Sequence, residues 1–204
     1  MKTTPLLFRA EMVRAILAGT KTQTRRLVKP QPGDVHFEEL PNTDPVTGWQ
    51  IAGRSYRWSD DDATGRIWTP PLGQPGDQIW VKETFCYDDF GEPIYRATEP
   101  DQGCSHPEDM RPWKPSIFMP RKASRITLEL TSVRVERLND ISEADAKAEG
   151  VADTFDARIA SNFVGGNPGP AQMEYWALWE SIHGPGSWAA NPFVWVYEFK
   201  RIKP

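Results

Sequence analysis

Short runs of hydrophobic and polar positions divide the chain into predicted elements. Leu6-Leu7-Phe8 predicts a short strand. Residues 11–18 predict a helix, because their apolar side chains recur three or four positions apart, and Gly19 follows as a left-handed cap. The apolar face of this helix consists of Met12, Val13, Ile16 and Leu17.

Period-two alternation predicts three longer β segments. The Gln74-Pro75-Gly76-Asp77 sequence is typical of a type II turn and leads into a strand over residues 78–85. Residues 125–138 predict a second strand, with a bulge near Thr131-Ser132 where the apolar phase slips. Residues 193–202 predict a closing strand, whose aromatic face is Phe193, Trp195, Tyr197 and Phe199.

Capping residues predict two further helices. Ser142 is followed three positions later by Asp145, which indicates an N-cap, and Gly150 ends that helix. Gly169-Pro170 opens the next helix with proline at its first position. The predicted apolar face of this last helix is Met173, Trp176, Trp179 and Ile182.

Two irregular stretches separate these elements. Residues 30–75 are rich in proline, glycine and aspartate and indicate an insertion or lid, with a hairpin near residues 42–45 and a strand within 49–58. Residues 86–112 are also predicted to be loop. The order of elements predicts an α+β fold, a small barrel or curled sheet with short helices at its ends. Its 204 residues fit one domain, 1–204, with these stretches as additions.

Composition narrows the class of protein. Hydrophobic residues make up 39% and charged residues 25%, and no apolar run approaches the length of a membrane span. The apolar run after Lys2 is too short for a signal peptide, so we expect a cytoplasmic protein. Its net charge of −4 argues against broad coating by nucleic acid, although basic residues cluster at 21–29 and 111–125.

The two cysteines, Cys86 and Cys104, are expected to be free thiols in a reducing compartment. With His106 they offer three possible zinc ligands, but the sequence lacks a CxxC pair and a second histidine at ligand spacing. We therefore expect no metal and no cofactor.

A cluster of reactive side chains follows the first predicted helix. An amine, two hydroxyls and two guanidinium groups lie within six positions, at Lys21, Thr22, Thr24, Arg25 and Arg26. By itself such a run is typical of a solvated basic turn. It is not a phosphate-binding P-loop, because the preceding glycine at the required spacing is missing.

These residues carry a family resemblance. Gly19, Lys21, Thr24 and Arg26 keep the pattern G-x-K-x-x-T-x-R. Together with the blocks at 75–81, 141–150 and 194–199, they resemble the ASCH family over nearly the whole chain, with 27–72 and 87–112 as additions. Residues 113–125 and 175–195 look like blocks of the longer ASCH proteins common in phages and prophages.

The resemblance implies a PUA-like β-barrel, a fold associated with RNA binding. It also implies a reaction, because some small bacterial members hydrolyse the amide of N4-acetylcytidine with a lysine, a threonine and a glutamate. The matching positions are Lys21, Thr24 and Glu149. The chain is about twice as long as those compact members.

The chemistry of these three groups can be argued from their types. A threonine hydroxyl is inert until a base activates it, and lysine acts as a base only when burial or neighbouring cations lower its pKa. Arg25 and Arg26 act in that direction. Glu149, at the end of a helix, suits a proton donor, so it must be protonated or share one proton with Lys21.

Further residues are candidates for contacts with a nucleobase or RNA. Arg26 has the geometry to hold a phosphate or a polar base edge. Glu83 is either a second pocket carboxylate or half of an ion pair at the rim. An aromatic residue among arginines suits base stacking and backbone contact, although Trp113 fits a core position equally well. The candidate binding residues are Thr22, Arg25, Arg26, Glu83, Trp113, Arg121 and Arg125.

Three functions remain open on the sequence. The first is binding of a modified nucleoside, with amidohydrolase activity on an N4-acylated cytidine as its enzymatic form. The second is a non-catalytic module for single-stranded RNA, in which the basic residues contact phosphates. The third is RNA cleavage, with Lys21 and Glu149 as acid and base at the 2′-hydroxyl.

Overall fold

A computed structural model describes residues 1–32, 36–40, 55–59, 66–99, 112–151 and 168–202, and for 36–40, 55–59 and 66–67 it describes the backbone only. The helices are α1 (Ala10–Ala18), α2 (Glu143–Ala148) and α3 (Pro170–His183). The strands are β1 (Thr3–Leu7), β2 (Gln23–Leu27), β3 (His36–Leu40), β4 (Ser55–Ser59), β5 (Arg66–Trp68), β6 (Gln78–Lys82), β7 (Phe85–Tyr87), β8 (Pro93–Tyr95), β9 (Thr127–Arg137) and β10 (Phe193–Ile202).

A mixed five-stranded sheet forms the centre of the fold. Its strand order is β1-β6-β9-β10-β2, with β1 parallel to β6 and the other pairs antiparallel. The predicted α+β class is confirmed, but of the two predicted arrangements, a small barrel or a curled sheet, the closed barrel is wrong. Strands β1 and β2 form the two edges of this sheet, and no ladder among the described strands joins them.

The longest strand pair contains the predicted bulge. Glu198 lies opposite Ser132 and Phe199 lies opposite Leu130, so Thr131 is left without a partner in the ladder. The extra residue restores the inward phase of the apolar side chains, which is the usual role of a bulge. The slip in the apolar pattern therefore located the irregularity correctly.

Both faces of β10 are buried, and each contributes to a different core. Trp195, Tyr197 and Phe199 pack with β1, α1, β6 and β9 on one face. Val194 and Val196 pack on the other face against α2, α3 and Trp188. Strand β10 thereby fixes α2 and α3 relative to the sheet.

The turn and cap predictions for α1, α2 and β6 are confirmed. Gly19 has φ +80° after α1, and Gly76 has φ +91° in the turn before β6, where the Asp77 N–H donates to the Gln74 carbonyl at 2.8 Å. The Ser142 hydroxyl accepts from the Asp145 N–H at 3.0 Å at the start of α2. These conformations match the residue types that predicted them.

Helix α3 begins at Pro170 as predicted, but its predicted apolar face is only partly right. Met173 and Trp179 are buried, whereas Ile182 is 46% exposed. Tyr175, which was not predicted to lie on this face, is buried. The apolar residues of α3 occupy more than one face of the helix, because some pack in the core and others line the cavity described below.

The first predicted insertion contains a sheet of its own. Strands β3, β4 and β5 lie within residues 30–75 and form an antiparallel three-stranded sheet. Strand β4 overlaps the predicted strand over 49–58. The hairpin expected near residues 42–45 lies outside the described residues.

The stretch over residues 86–112 is not all loop. Strands β7 and β8 pair there as a short hairpin. Its three-residue strands carry too few alternating positions for period two to stand out. Cys86 is disulfide-bonded, so the expectation of a free thiol at this residue is wrong. Cys104 lies outside the described residues. The free-thiol prediction assumed a reducing compartment, and the sequence does not determine the compartment. Within the described ranges no helix has the length and apolar character needed to cross a membrane.

Candidate active site

Lys21, Thr24 and Glu149 line one cavity of about 360 Å³. Lys21 lies between α1 and β2, Thr24 lies in β2, and Glu149 caps the C-terminal end of α2. The remaining wall comes chiefly from residues 7–9 before α1, from Met12 and from one side of α3. The structure thus brings Glu149 to the same cavity as Lys21 and Thr24, although Glu149 lies 128 positions after Lys21 in the sequence.

Backbone hydrogen bonds fix the positions of these residues. Lys21 and Glu149 form an isolated antiparallel bridge, and the Thr22 N–H donates to the Ala148 carbonyl at 2.8 Å. Gly150, with φ +81°, permits this approach: a Cβ at this position would lie 2.8 Å from the Cβ of Lys21. The end of α2 is therefore joined directly to the turn between α1 and β2.

The Lys21 ammonium is buried, and both of its hydrogen bonds to described residues go to Glu149. Its Nζ donates to Glu149 Oε2 at 2.8 Å and to the Glu149 carbonyl oxygen at 2.7 Å. Burial lowers the pKa of Lys21, and although Glu149 acts against this, Arg26 and Arg25 add to the lowering. The direction is the one that a lysine base requires.

Arg25 supports the other oxygen of the same carboxylate. Its Nη1 donates to Glu149 Oε1 at 3.1 Å and to Gln23 Oε1 at 3.2 Å, while Nε and Nη2 donate to Glu136 Oε1 at 2.9 and 2.6 Å. A third acid, Asp145, lies 3.5 Å from Nη2. Burial acts to lower the pKa of Arg25, but Glu149 and Glu136 raise it overall. This guanidinium is thus occupied by protein groups.

Thr24 is buried and lines the cavity. It lies opposite Tyr197 in the β2–β10 ladder, which fixes its backbone. No described residue forms a hydrogen bond with its hydroxyl. The hydroxyl is also not among the polar atoms that are both buried and without a partner, so it reaches the surface of the cavity. The Thr24 hydroxyl is therefore available to a molecule in the cavity.

Arg26 lines the cavity with few partners. Its Nη2 donates to the Leu7 carbonyl at 3.4 Å, and the guanidinium carbon lies 5.7 Å from the Phe8 ring centre. Its Nε is buried and finds no acceptor among the described residues. Burial lowers the pKa of Arg26, with Glu149 acting in the opposite direction.

The other predicted binding residues do not line this cavity. Thr22 is exposed beside it. Glu83 is buried and pairs with Arg125 through two 3.0 Å hydrogen bonds, which matches the ion-pair interpretation. Arg121 lies 5.7 Å from the Trp80 ring centre, and Trp113 borders a separate groove with Phe85 and Tyr87.

Sequence reasoning missed the wall that α3 provides. Tyr175, Trp179 and His183 line the cavity, and the Trp179 and His183 rings lie 4.1 Å apart. Burial raises the pKa of Tyr175 well above its ordinary value, with Glu149 adding to the rise. These three rings are spaced four positions apart, which places them on one face of the helix. The sequence interpretation instead assigned Trp179 to the apolar core face.

The acids that hold Arg25 were also missed. Glu136 and Asp145 lie 111 and 120 positions further along the chain, and nothing in the local sequence links them to Arg25. Arg134 joins the same network through Glu136 at 3.2 Å and Asp145 at 3.4 Å. The described residues contain no group of three or more metal-ligating side chains placed to hold a metal ion.

Comparison of the chain with protein-family models, with curated proteins and with solved structures found no match in any of the three. The ASCH resemblance therefore stays a prediction from the motif residues. The functional argument depends on the geometry of the cavity.

Proposed function

We propose that this protein hydrolyses the exocyclic amide of an N4-acylated cytidine, with Thr24 as nucleophile and the Lys21–Glu149 pair as proton carrier. The observation that carries the proposal is the lining of one cavity by these three residues, with Lys21 hydrogen-bonded to Glu149 and the Thr24 hydroxyl free of described partners. The proposal includes an ASCH-type, PUA-like relationship, supported by the motif residues Gly19, Lys21, Thr24 and Arg26.

The size and walls of the cavity favour a small ligand. A volume of about 360 Å³ lies at the lower end of the range for small-molecule sites, roughly 300–1,000 Å³. Phe8, Tyr175 and Trp179 supply aromatic surface for a planar base. An extended RNA strand would need an open basic groove instead, so these features favour a nucleoside over the RNA-binding module.

Two cations on Glu149 modify the expected acid–base roles. Because Lys21 and Arg25 both donate to this carboxylate, the resting pair is best written as an ammonium and a carboxylate that share one proton. In the first step the Lys21 proton moves to Glu149 while Lys21 takes the Thr24 hydroxyl proton. The Thr24 oxygen attacks the acyl carbon, and Glu149 then protonates the leaving N4 nitrogen as the C–N bond breaks.

The second step returns the site to its starting state. Water attacks the Thr24 ester and gives its proton to Glu149, and the Thr24 oxygen leaves with a proton from Lys21. Glu149 then returns its proton to Lys21. The sum is one amide and one water converted to one carboxylic acid and one amine.

Hydrolysis of N4-acetylcytidine by the purified protein tests the proposal, with cytidine and acetate measured together. We expect turnover by the wild-type protein, retention of activity in Thr24→Ser and loss in Thr24→Ala, because only the first variant keeps a hydroxyl. Absence of wild-type turnover, or full activity of Thr24→Ala, would refute the proposed reaction. Labelled single-stranded RNA incubated in parallel should stay intact, whereas its degradation would favour the ribonuclease alternative.

A further inference from the structure

The described wall of the cavity carries an excess of positive charge. Its charged lining residues are Arg9, Lys21, Arg25, Arg26 and Glu149. Glu149 is fully committed, because Lys21 occupies one carboxylate oxygen and Arg25 occupies the other. No lining acid in the described part of the chain remains for the two other arginines.

Arg26 is the inner of these two arginines. Its one described acceptor is a neutral backbone carbonyl at 3.4 Å, and its buried Nε has none in the described ranges. A buried guanidinium N–H without an acceptor is costly. A bound anion with two or more oxygens would satisfy this donor set, because the guanidinium fork matches phosphate and carboxylate geometry.

Arg9 extends the positive surface to the rim. It is exposed, directly precedes α1 and forms no ion pair with a described acid. On the α3 side of the cavity, burial lowers the pKa of His183, and Arg26 and Lys29 add to the lowering. The positive potential thus spans the cavity from Arg26 to its mouth.

We propose that the cavity takes its pyrimidine as a nucleotide, with the phosphate monoester bound between Arg26 inside and Arg9 at the rim. The base and acyl positions rest on the proposed function, whereas the phosphate site rests on the two arginines alone. In this arrangement the phosphate supplies the negative charge that the described wall lacks. A neutral nucleoside would bring no counter-charge to either guanidinium.

Calorimetric binding of cytidine 5′-monophosphate and of cytidine tests the phosphate site without any hydrolysis. We expect the nucleotide to bind about tenfold or more tightly than the nucleoside, the gain typical of a charge-assisted contact. Arg26→Gln and Arg9→Gln should each remove most of this difference. Arg201→Gln, an exposed arginine on β10 outside the cavity, is the matched control and should keep the full difference.

Two further ligands distinguish the source of the phosphate. Inorganic phosphate should compete only weakly, because it lacks the base, and the dinucleotide CpC should bind no better than the mononucleotide. Equal affinities for cytidine and its monophosphate, or a full difference in both arginine variants, would overturn the proposal. Strong competition by inorganic phosphate, or clearly tighter binding of CpC, would overturn it in favour of a free-anion site or an RNA site.

The arginine variants and the hydrolysis assay separate the two proposals. If Arg26→Gln does not fold, as judged by thermal melting, Arg9→Gln decides the outcome because that side chain is exposed. Tight nucleotide binding without hydrolysis of any N4-acylated form would remove the proposed reaction and keep the phosphate site. Hydrolysis with equal binding of cytidine and its monophosphate would keep the proposed reaction and remove the phosphate site.

Discussion

At the scale of single residues, Arg25 holds the buried charges of the site in place. Its side chain has no exposed surface and donates to Glu149 and Glu136. Replacing it with methionine leaves these two carboxylates without their shared cation in a site largely withdrawn from water. We therefore expect Arg25→Met to lower the free energy of unfolding by about 3–5 kcal/mol, the usual cost of breaking a buried pair.

Urea denaturation of wild type and variant measures this loss. The matched control is Lys200→Met, which removes a cation whose side chain is 62% exposed and paired with Glu129 at 3.0 Å. Such surface pairs contribute at most about 1 kcal/mol. A loss in Arg25→Met no larger than in Lys200→Met would mean that Arg25 does not stabilise the acid cluster.

The sequence predicted some of these residues and not their contacts. Lys21, Thr24 and Glu149 were identified from motif positions, and all three line the cavity. Arg25 was interpreted as a ligand contact, but its donors are used by protein acids. That difference arises from acids far along the chain, whose approach depends on sheet register rather than on local sequence.

At the scale of elements, the joint between α2 and the Lys21 turn depends on Gly150. Both Gly150 and Gly19 have left-handed φ values, +81° and +80°, but their surroundings differ. A Cβ at Gly150 would lie 2.8 Å from the Lys21 Cβ and 2.9 Å from the Ala15 Cβ. A Cβ at Gly19 would have no atom of another described part of the chain within 4 Å. Gly150 thus combines a backbone requirement with a close approach.

The two alanine variants separate these effects. Gly19→Ala should cost about 1–2 kcal/mol, the penalty for a left-handed side-chain residue. Gly150→Ala should cost about 1–3 kcal/mol more, because overpacking adds to the same penalty, and it should also reduce hydrolysis by displacing Lys21. Thermal or urea unfolding measures both variants. Equal losses in the two would contradict the close packing of α2 on the Lys21 turn.

Element predictions succeeded where several local signals agreed. Strand β10, the bulge in β9 and the Ser142 cap each combine a regular period with a specific residue type. The β7–β8 hairpin was missed because its strands are three residues long. The face of α3 was only partly predicted, since Tyr175 packs in the core beside Trp188 and also lines the cavity.

At the scale of the whole molecule, the cavity lies where several separate elements meet. Its wall combines the end of β1, the start of α1, strand β2, the end of α2 and one side of α3. The sequence predicted the mixture of helices and strands, but no ladder among the described strands joins β1 to β2 and closes the sheet into a barrel. Closure depends on strand tilt and shear, which alternation along one chain does not determine.

The central claim is that Lys21 and Glu149 act as one proton carrier for Thr24. It is tested most directly by the rates at which Lys21→Met, Glu149→Gln and the double variant hydrolyse N4-acetylcytidine, each checked for folding by circular dichroism. We expect each single variant to lose about 10²–10⁴-fold, and the double variant to lose no more than either, because residues that act as a unit are not additive. Near-wild-type rates in either single variant, or losses that multiply in the double variant, would contradict the account.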